Sequence, residues 1–372
     1  MRFRCLIFLV FCALTAVAQD HATAFSRAQH LRHGINASVW FAQSANNYTA
    51  DHLSKQIDDG DIMLMARLGF DSARLSIDPV PLEGYPHNAE GFNVDFLARL
   101  DHAVDTMLAN GLAVQVDIHP EDPYKQQVKN SNDSVARFVD LWRRLAAHYA
   151  GRDPERVFFE VMNEPEVNDP YRWAGIQAHA VEAIRSVAPK NTIIVTGPNY
   201  GSLEDLLTLE PLPDDNVLYT FHFYEPYEFT HQGAGWGRQW WHYTHGIPYP
   251  ASEASMAELL REVPDAAARY ELEHYWLDHW DAHRIRMEID VAAEWGKAHH
   301  VPVICNEFGS FGAFADPASR ARWIHDARTA LEADQIGWTM WDYRGAFGVV
   351  QKKDGEAAQA DDAVLEALGL KK

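Results

Sequence analysis

Cysteine is nearly absent from this chain. Three occur in 372 residues, and two of them, Cys5 and Cys12, fall in an apolar N-terminal run. Only Cys305 is left for the body of the protein, so no internal disulfide is expected there. It lies in an apolar stretch without an electropositive neighbour, which suits a buried thiol better than a nucleophile. Basic residues are also scarce: 32 Lys and Arg stand against 53 Asp and Glu, a formal net charge of -21. That balance argues against nucleic acid or an anionic membrane as partner. Long polar tracts are missing, and 47% of residues are hydrophobic. The chain is therefore globular, and long enough for one large α/β barrel or two ordinary domains. There is no His-Glu-x-x-His and no spaced Cys/His set among the 19 histidines, so neither metal nor other cofactor is expected. A Gly-x-Ser-x-Gly elbow is missing too, which disfavours a serine hydrolase.

The N-terminus has the form of a secretory signal. Arg2 and Arg4 precede an apolar run over residues 5–17, and Ala16-Val-Ala18 has the small-x-small form of a cleavage site. Residues 1–18 are expected to leave, giving a secreted protein with no membrane attachment, its catalytic part spanning residues 19–372. Residues 20–32 read as a mobile lead-in. Asn36-Ala-Ser, Asn47-Tyr-Thr and Asn132-Asp-Ser match glycosylation acceptors.

Apolar runs over residues 33–41, 72–78, 112–119, 156–162, 192–197, 217–224, 301–307 and 337–342 read as strands. Helical patterns separate them, over 61–68, 94–109, 134–149, 171–187, from 281, over 316–332 and over 361–370. This alternation predicts a single (β/α)8 barrel. One connection is too long: residues 225–280 carry Tyr227, Trp236, Trp240, Trp241, Tyr243, Tyr249, Tyr275, Trp276 and Trp280. Long loops in compact domains are usually functional. Some of these rings, Trp236, Trp240 and Trp241 first, are expected to stack on substrate, and the others to form the insertion's own core with a helix over 255–263.

The chain is organised around Arg156-Val-Phe-Phe-Glu-Val-Met-Asn-Glu-Pro-Glu166, an apolar strand that Pro165 would stop, leaving Glu164 at its carboxyl end. Desolvation there would raise the pKa of Glu164 and keep a proton on it, as a general acid requires. The pattern recurs in Val301-Pro-Val-Ile-Cys-Asn-Glu-Phe-Gly309, which ends in Glu307. Two strands that each deliver a glutamate at their carboxyl ends can form the pair that cleaves a glycosidic bond. Other strand ends supply Arg74, His119, His222, Tyr224 and Trp341. A guanidinium and a phenol beside Glu307 would stabilise its anion. Glu166, Glu225 and Asp342 read as loop or supporting groups.

These residues, in this strand order, resemble glycoside hydrolase family 5, a cellulase-like family of retaining glycosidases. The resemblance spans the mature chain and implies the roles that follow. Glu164 is the acid/base and Glu307 the nucleophile. Arg74, Tyr224 and His222 complete the catalytic group, with Arg74 and Tyr224 orienting Glu307. Asn163 contacts the sugar 2-hydroxyl, His119 the bound sugar, and Trp341 floors the site. Trp40, at the end of the first strand, and Trp236 are added as substrate-binding aromatics. The implied activity is an endo-β-1,4-glucanase acting as a monomer on polysaccharide or oligosaccharide. The alternatives are a β-mannanase or xyloglucanase of the same fold, or a non-catalytic carbohydrate-binding barrel.

Overall fold

The computed structural model describes residues 21–45 and 47–370; the signal expected over 1–18 lies outside them. Eight parallel strands close into a barrel in chain order: β1 His33–Asn36, β2 Ser72–Ile77, β3 Ala113–Ile118, β4 Val157–Glu160, β5 Thr192–Thr196, β6 Val217–Phe223, β7 Val303–Phe308 and β8 Gly337–Met340. Every residue of β2, β3 and β6 is buried. Outward side chains meet helices and inward ones fill the barrel, so both faces of each strand are covered. The helix Val94–Ala109 buries Phe96, Leu97, Leu100, Val104 and Met107, and Asn93 caps it at the Phe96 N–H. No helix of the described residues is long and apolar enough to cross a membrane.

The barrel interior is layered because side chains alternate along a strand. The lowest layer is apolar: Ala113, Phe158, Ile194, Leu218 and Ile304. Ala24, Ala28 and Leu31 cover it from below. The segment read as a mobile lead-in is thus partly a helix, Ala22–Ala28, which plugs the barrel floor. Its small residues allow close approach, and Arg27 anchors it to Glu155 at 2.9 Å and Thr192 Oγ1 at 3.2 Å, with a further bond to the Lys190 carbonyl. Above this floor the filling turns polar, with Asn36, Arg74, Gln115, Glu160, Thr220, Asn306 and Thr339 all buried.

Several strands end earlier than the apolar runs suggested. β1 stops at Asn36, and Val39 turns the chain at φ 54°. β4 stops at Glu160, well before Pro165. Its backbone then swings between neighbours, Val161 N–H donating to Ile194 on β5 and Asn163 N–H to Ile118 on β3. β7 shifts register against both β6 and β8 around Asn306 and Glu307. An irregularity of this kind re-aims side chains. Here it lets two consecutive residues face inward: Asn306 accepts from Thr220 Oγ1 at 2.6 Å while Glu307 meets Arg74.

The long insertion folds on itself. It holds Tyr227–Thr230, a 3-10 turn Trp241–Tyr243, and helices Glu253–Glu262 and Ala266–Leu277. Tyr249 and Tyr275 are buried and donate to Asp326 and to the Pro248 carbonyl, and Trp240, Trp241 and Trp280 are buried as well. The helix Asp122–Asn130 after β3 and a short hairpin pairing Val350–Gln351 with Gln359–Ala360 were not apparent from apolar periodicity.

A Cβ on Gly337 would collide with the Leu31 carbonyl, where the lead-in joins β1. Gly337→Ala should therefore cost about 1–3 kcal/mol through overpacking. The check is the chemical denaturation midpoint, and an unchanged value would mean that the lead-in does not pack on the barrel.

Candidate active site

The polar layer centres on Arg74, which is completely buried. Its Nε and Nη2 each donate to Glu160 at 2.7 Å, a bidentate pair. Nη1 reaches Asn36 Oδ1 at 3.0 Å and Glu307 Oε1 at 2.5 Å. Nη2 also donates to Asn163 Oδ1 at 2.9 Å and lies 3.0 Å from Asp117 Oδ2. One cation thus faces three carboxylates. Burial opposes its charge, but Asp117, Glu160 and Glu307 outweigh that and keep the guanidinium charged.

Glu307 is held at both oxygens, because the Tyr224 hydroxyl donates to Oε2 at 2.9 Å. Burial and the neighbouring Glu307 charge push the Tyr224 pKa far above the phenol range, so it stays a donor. Glu164 stands in a turn beyond β4 at φ 41°. His222 Nδ1 lies 3.2 Å from Glu164 and 3.5 Å from Glu307, and donor atoms of all three fall within 4.8 Å of one another.

The expected proton on Glu164 is not what this geometry favours. Burial pushes its pKa up, but the hydrogen bond and charge of His222, with the charge of Lys125, pull it down to about 2. Burial also opposes a charged His222, yet Glu307 and Glu164 prevail and raise its pKa. The resting trio therefore keeps its proton on His222, facing Glu164.

A closed ring of contacts orients Asn163. Its Oδ1 accepts from Arg74 and its Nδ2 donates to His119 Nε2 at 3.0 Å. Burial drives the His119 pKa down to about 3, so the ring is neutral. With Nε2 accepting, Nδ1 carries the hydrogen and donates to Asp117 Oδ2 at 2.9 Å. Asp117 closes the ring on Arg74. Burial, with the neighbouring Glu307 charge, nevertheless raises the Asp117 pKa to about 7 against the pull of Arg74. The Trp341 ring stacks on His119 with centroids 5.8 Å apart.

Glu164, Glu307, Arg74, Tyr224, His222, Asn163, His119 and Trp341 thus converge as the sequence suggested. Trp40 does not join them. It is 4% exposed, packs on Phe41 and spends its indole N–H on the Leu53 carbonyl at 2.8 Å. The chain turns at Val39 before reaching it, so its face is used by the loop's own core. Trp240 and Trp241 are likewise packing residues; Trp241 stacks on Tyr227 with centroids 6.0 Å apart. Trp236 is 50% exposed, stands edge-on to Phe311 at 5.0 Å and lies 6.4 Å from the ring of Phe347, which in turn meets Tyr224. Asp342 accepts from Ser38, and Glu225 accepts from the Tyr224 N–H, as supporting groups. Sequence reading passed over Glu160, Asp117 and Asn36. The available signals were a charge inside the apolar run before Asn163, and an aspartate two positions before His119 on the same strand face.

A closed parallel barrel with two glutamates within 4.8 Å at the carboxyl ends of its strands is the architecture of a glycoside hydrolase. The cellulase model, glycosyl hydrolase family 5, matches residues 35–346, and the chain belongs to that family. It is 31% identical over 317 residues to Endoglucanase C of Acetivibrio thermocellus, covering 84% of this chain and 90% of that one. It is 28% identical to Endoglucanase 3 of Fibrobacter succinogenes over 91% of this chain and 53% of the longer relative. Among solved structures, Cel5A of Thermotoga maritima in complex with cellobiose superposes with a TM-score of 0.73 at 26% identity, covering 93% of this chain and 99% of that one. The same Thermotoga protein has been solved with mannotriose.

The raised Asp117 pKa fixes a sign. The folded state holds a proton that the unfolded chain releases near 3.8, so this group's contribution to stability declines as pH rises from about 4 to about 7. Urea denaturation across that window should show wild type losing stability relative to Asp117→Asn; a pH-independent difference would mean that Asp117 is ionised throughout. For the rim aromatics, Trp236→Ala should raise KM on polysaccharide several-fold, within about 0.5–1.5 kcal/mol of stacking, and leave the melting temperature unchanged. Trp241→Ala should instead lower the melting temperature, and the reverse pattern would exchange their roles.

Proposed function

We propose that this protein is a secreted retaining endo-β-1,4-glucanase. The observation that carries the mechanism is the short separation of Glu164 and Glu307, whose nearest oxygens lie within 4.8 Å. Retaining enzymes hold the two carboxyl groups about 5–5.5 Å apart, whereas inverting ones leave about 6.5–9.5 Å for a water. Glu307, held between Arg74 and Tyr224, attacks the anomeric carbon as the glycosidic carbon–oxygen bond breaks. Glu164 delivers the proton to the departing oxygen. As substrate displaces water from the cleft, the proton held by His222 Nδ1 passes to Glu164, which is then the acid. In the second half-reaction Glu164 takes a proton from water, and the resulting hydroxide displaces Glu307. Asn163 donates to the 2-hydroxyl with the Nδ2 hydrogen that His119 leaves free. His119 borders the bound sugar, and Trp341 lies beneath it.

The endo-β-1,4-glucan preference rests on the names of the relatives. A β-mannan is the second reading, favoured by the mannotriose complex of the Thermotoga relative. Secretion rests on residues 1–18, read as a signal ahead of a catalytic unit over 19–372 that acts as a monomer. Reducing-sugar release from soluble β-1,4-glucan and from β-mannan separates the substrate readings. The anomeric configuration of the first-formed product, followed by NMR, should be β; an α product would end the retaining mechanism. Glu307→Gln should abolish turnover with the fold intact. Glu164→Ala should cost about 10²–10⁴-fold on unactivated substrate. Undiminished activity in either variant would remove that residue's assigned role, and no sugar released from any β-glycan by the wild type would leave a non-catalytic carbohydrate-binding barrel.

A further inference from the structure

The turn that carries Glu164 has an unusual backbone. Glu164 and Glu166 both lie in the left-handed region, at φ 41° and 57°. Non-glycine residues held there are strained and persist only where their surroundings over-determine them. Part of that restraint is backbone: Glu166 N–H donates to Asn199 and Val167 N–H to Pro198. The other part comes from the helix Asp122–Asn130 after β3. Lys125 lies on that helix with only 6% of its side chain exposed, and its Nζ is 3.1 Å from Glu166 Oε1. Gln126 approaches the other oxygen at 3.5 Å. Further along, Lys129 donates to Asn168 at 2.9 Å, and Arg172 reaches back to the Lys129 carbonyl at 2.6 Å. The helix is thus fastened to the chain that follows Glu164, at Glu166, Asn168 and Arg172. A buried ammonium has a strong reason to keep its carboxylate partner, since neither charge is fully solvated.

We propose that Lys125 is a positioning residue for the acid/base: its ion pair with Glu166 holds the left-handed turn that aims Glu164 at the departing oxygen. This inference rests on the acid/base reading of Glu164. It adds a residue outside the group that touches substrate, on an element that apolar periodicity did not reveal. Lys125 also favours the carboxylate that Glu164 becomes as its proton leaves, because its charge acts on that carboxylate. The consequence is selective. Cleaving an unactivated glucan needs a proton on the leaving oxygen. Expelling a dinitrophenolate needs none, while attack by Glu307 is common to both.

The experiment compares kcat/KM, which reports the glycosylation step, on a cello-oligosaccharide and on dinitrophenyl β-cellobioside. Lys125→Met should lose roughly tenfold on the oligosaccharide, a part of the acid's own contribution, and keep most activity on the aryl substrate. Lys125→Arg should restore the oligosaccharide rate. The loss on the oligosaccharide must exceed that on the aryl substrate by at least about fivefold; any smaller ratio, whether both rates fall together or neither falls, overturns the proposal. If Lys125→Met does not fold by circular dichroism, Glu166→Gln decides by the same ratio. Glu164→Ala run alongside separates the two readings. If it too shows no leaving-group selectivity, the acid/base assignment fails; if it does while the Lys125 and Glu166 variants do not, only the positioning role fails.

Discussion

A single buried guanidinium joins the fold to the chemistry. Arg74 reaches Glu160 on β4, Asp117 on β3 and Glu307 on β7, and also touches Asn36 on β1 and Asn163 beyond β4. Strands distant in sequence are thereby held to one registration of their upper ends. Such a cluster is costly to assemble, because each charge loses its hydration. Breaking it by removing one partner typically costs about 3–5 kcal/mol, since the others are left buried and uncompensated. Its worth lies in geometry: the bidentate edge of Arg74 is spent on Glu160, which leaves Nη1 aimed at Glu307 and Nη2 also reaching Asn163.

That arrangement also distributes protons. Three carboxylates share one permanent cation, and burial raises Asp117 to about 7 and Glu160 as well, with Arg74 pulling against it at both. On the opposite side His222 lies between Glu164 and Glu307 and becomes the proton store of the resting trio. His222 and Glu164 thus titrate as a pair: their contact outweighs burial at both, lowering the carboxyl and raising the imidazole.

The secondary structure was legible largely because the barrel is regular. Runs such as Ser72–Ile77 and Val217–Phe223 are buried on both faces and read as near-continuous apolar strands, and the helix Val94–Ala109 has both a cap and a stripe. Failures came where local pattern and tertiary role diverge. Ala22–Ala28 is too short and too small-residue-rich to announce itself, and it orders only because the barrel floor needs a cover. Trp40 looked like a cleft aromatic because it follows a strand, but the turn at Val39 sends it into the core. Aromatic content in the insertion likewise could not separate rings that pack from rings that face solvent, since both uses draw on the same residue types.

The sequence by itself determined that two glutamates end apolar strands, that Arg, His, Tyr and Trp end others, and that the strand order matches one family of hydrolases. These are local facts, set by which residue types stand at which strand ends. Only the tertiary structure decided that Glu160 and Asp117 share Arg74 with Glu307, that His222 lies between Glu164 and Glu307, and that Lys125 pairs with Glu166 behind Glu164. Each of those depends on distances between side chains on different strands and helices. Closing the barrel, together with the register shift in β7 and the swing of the chain after β4, creates those distances, and no stretch of sequence contains them alone.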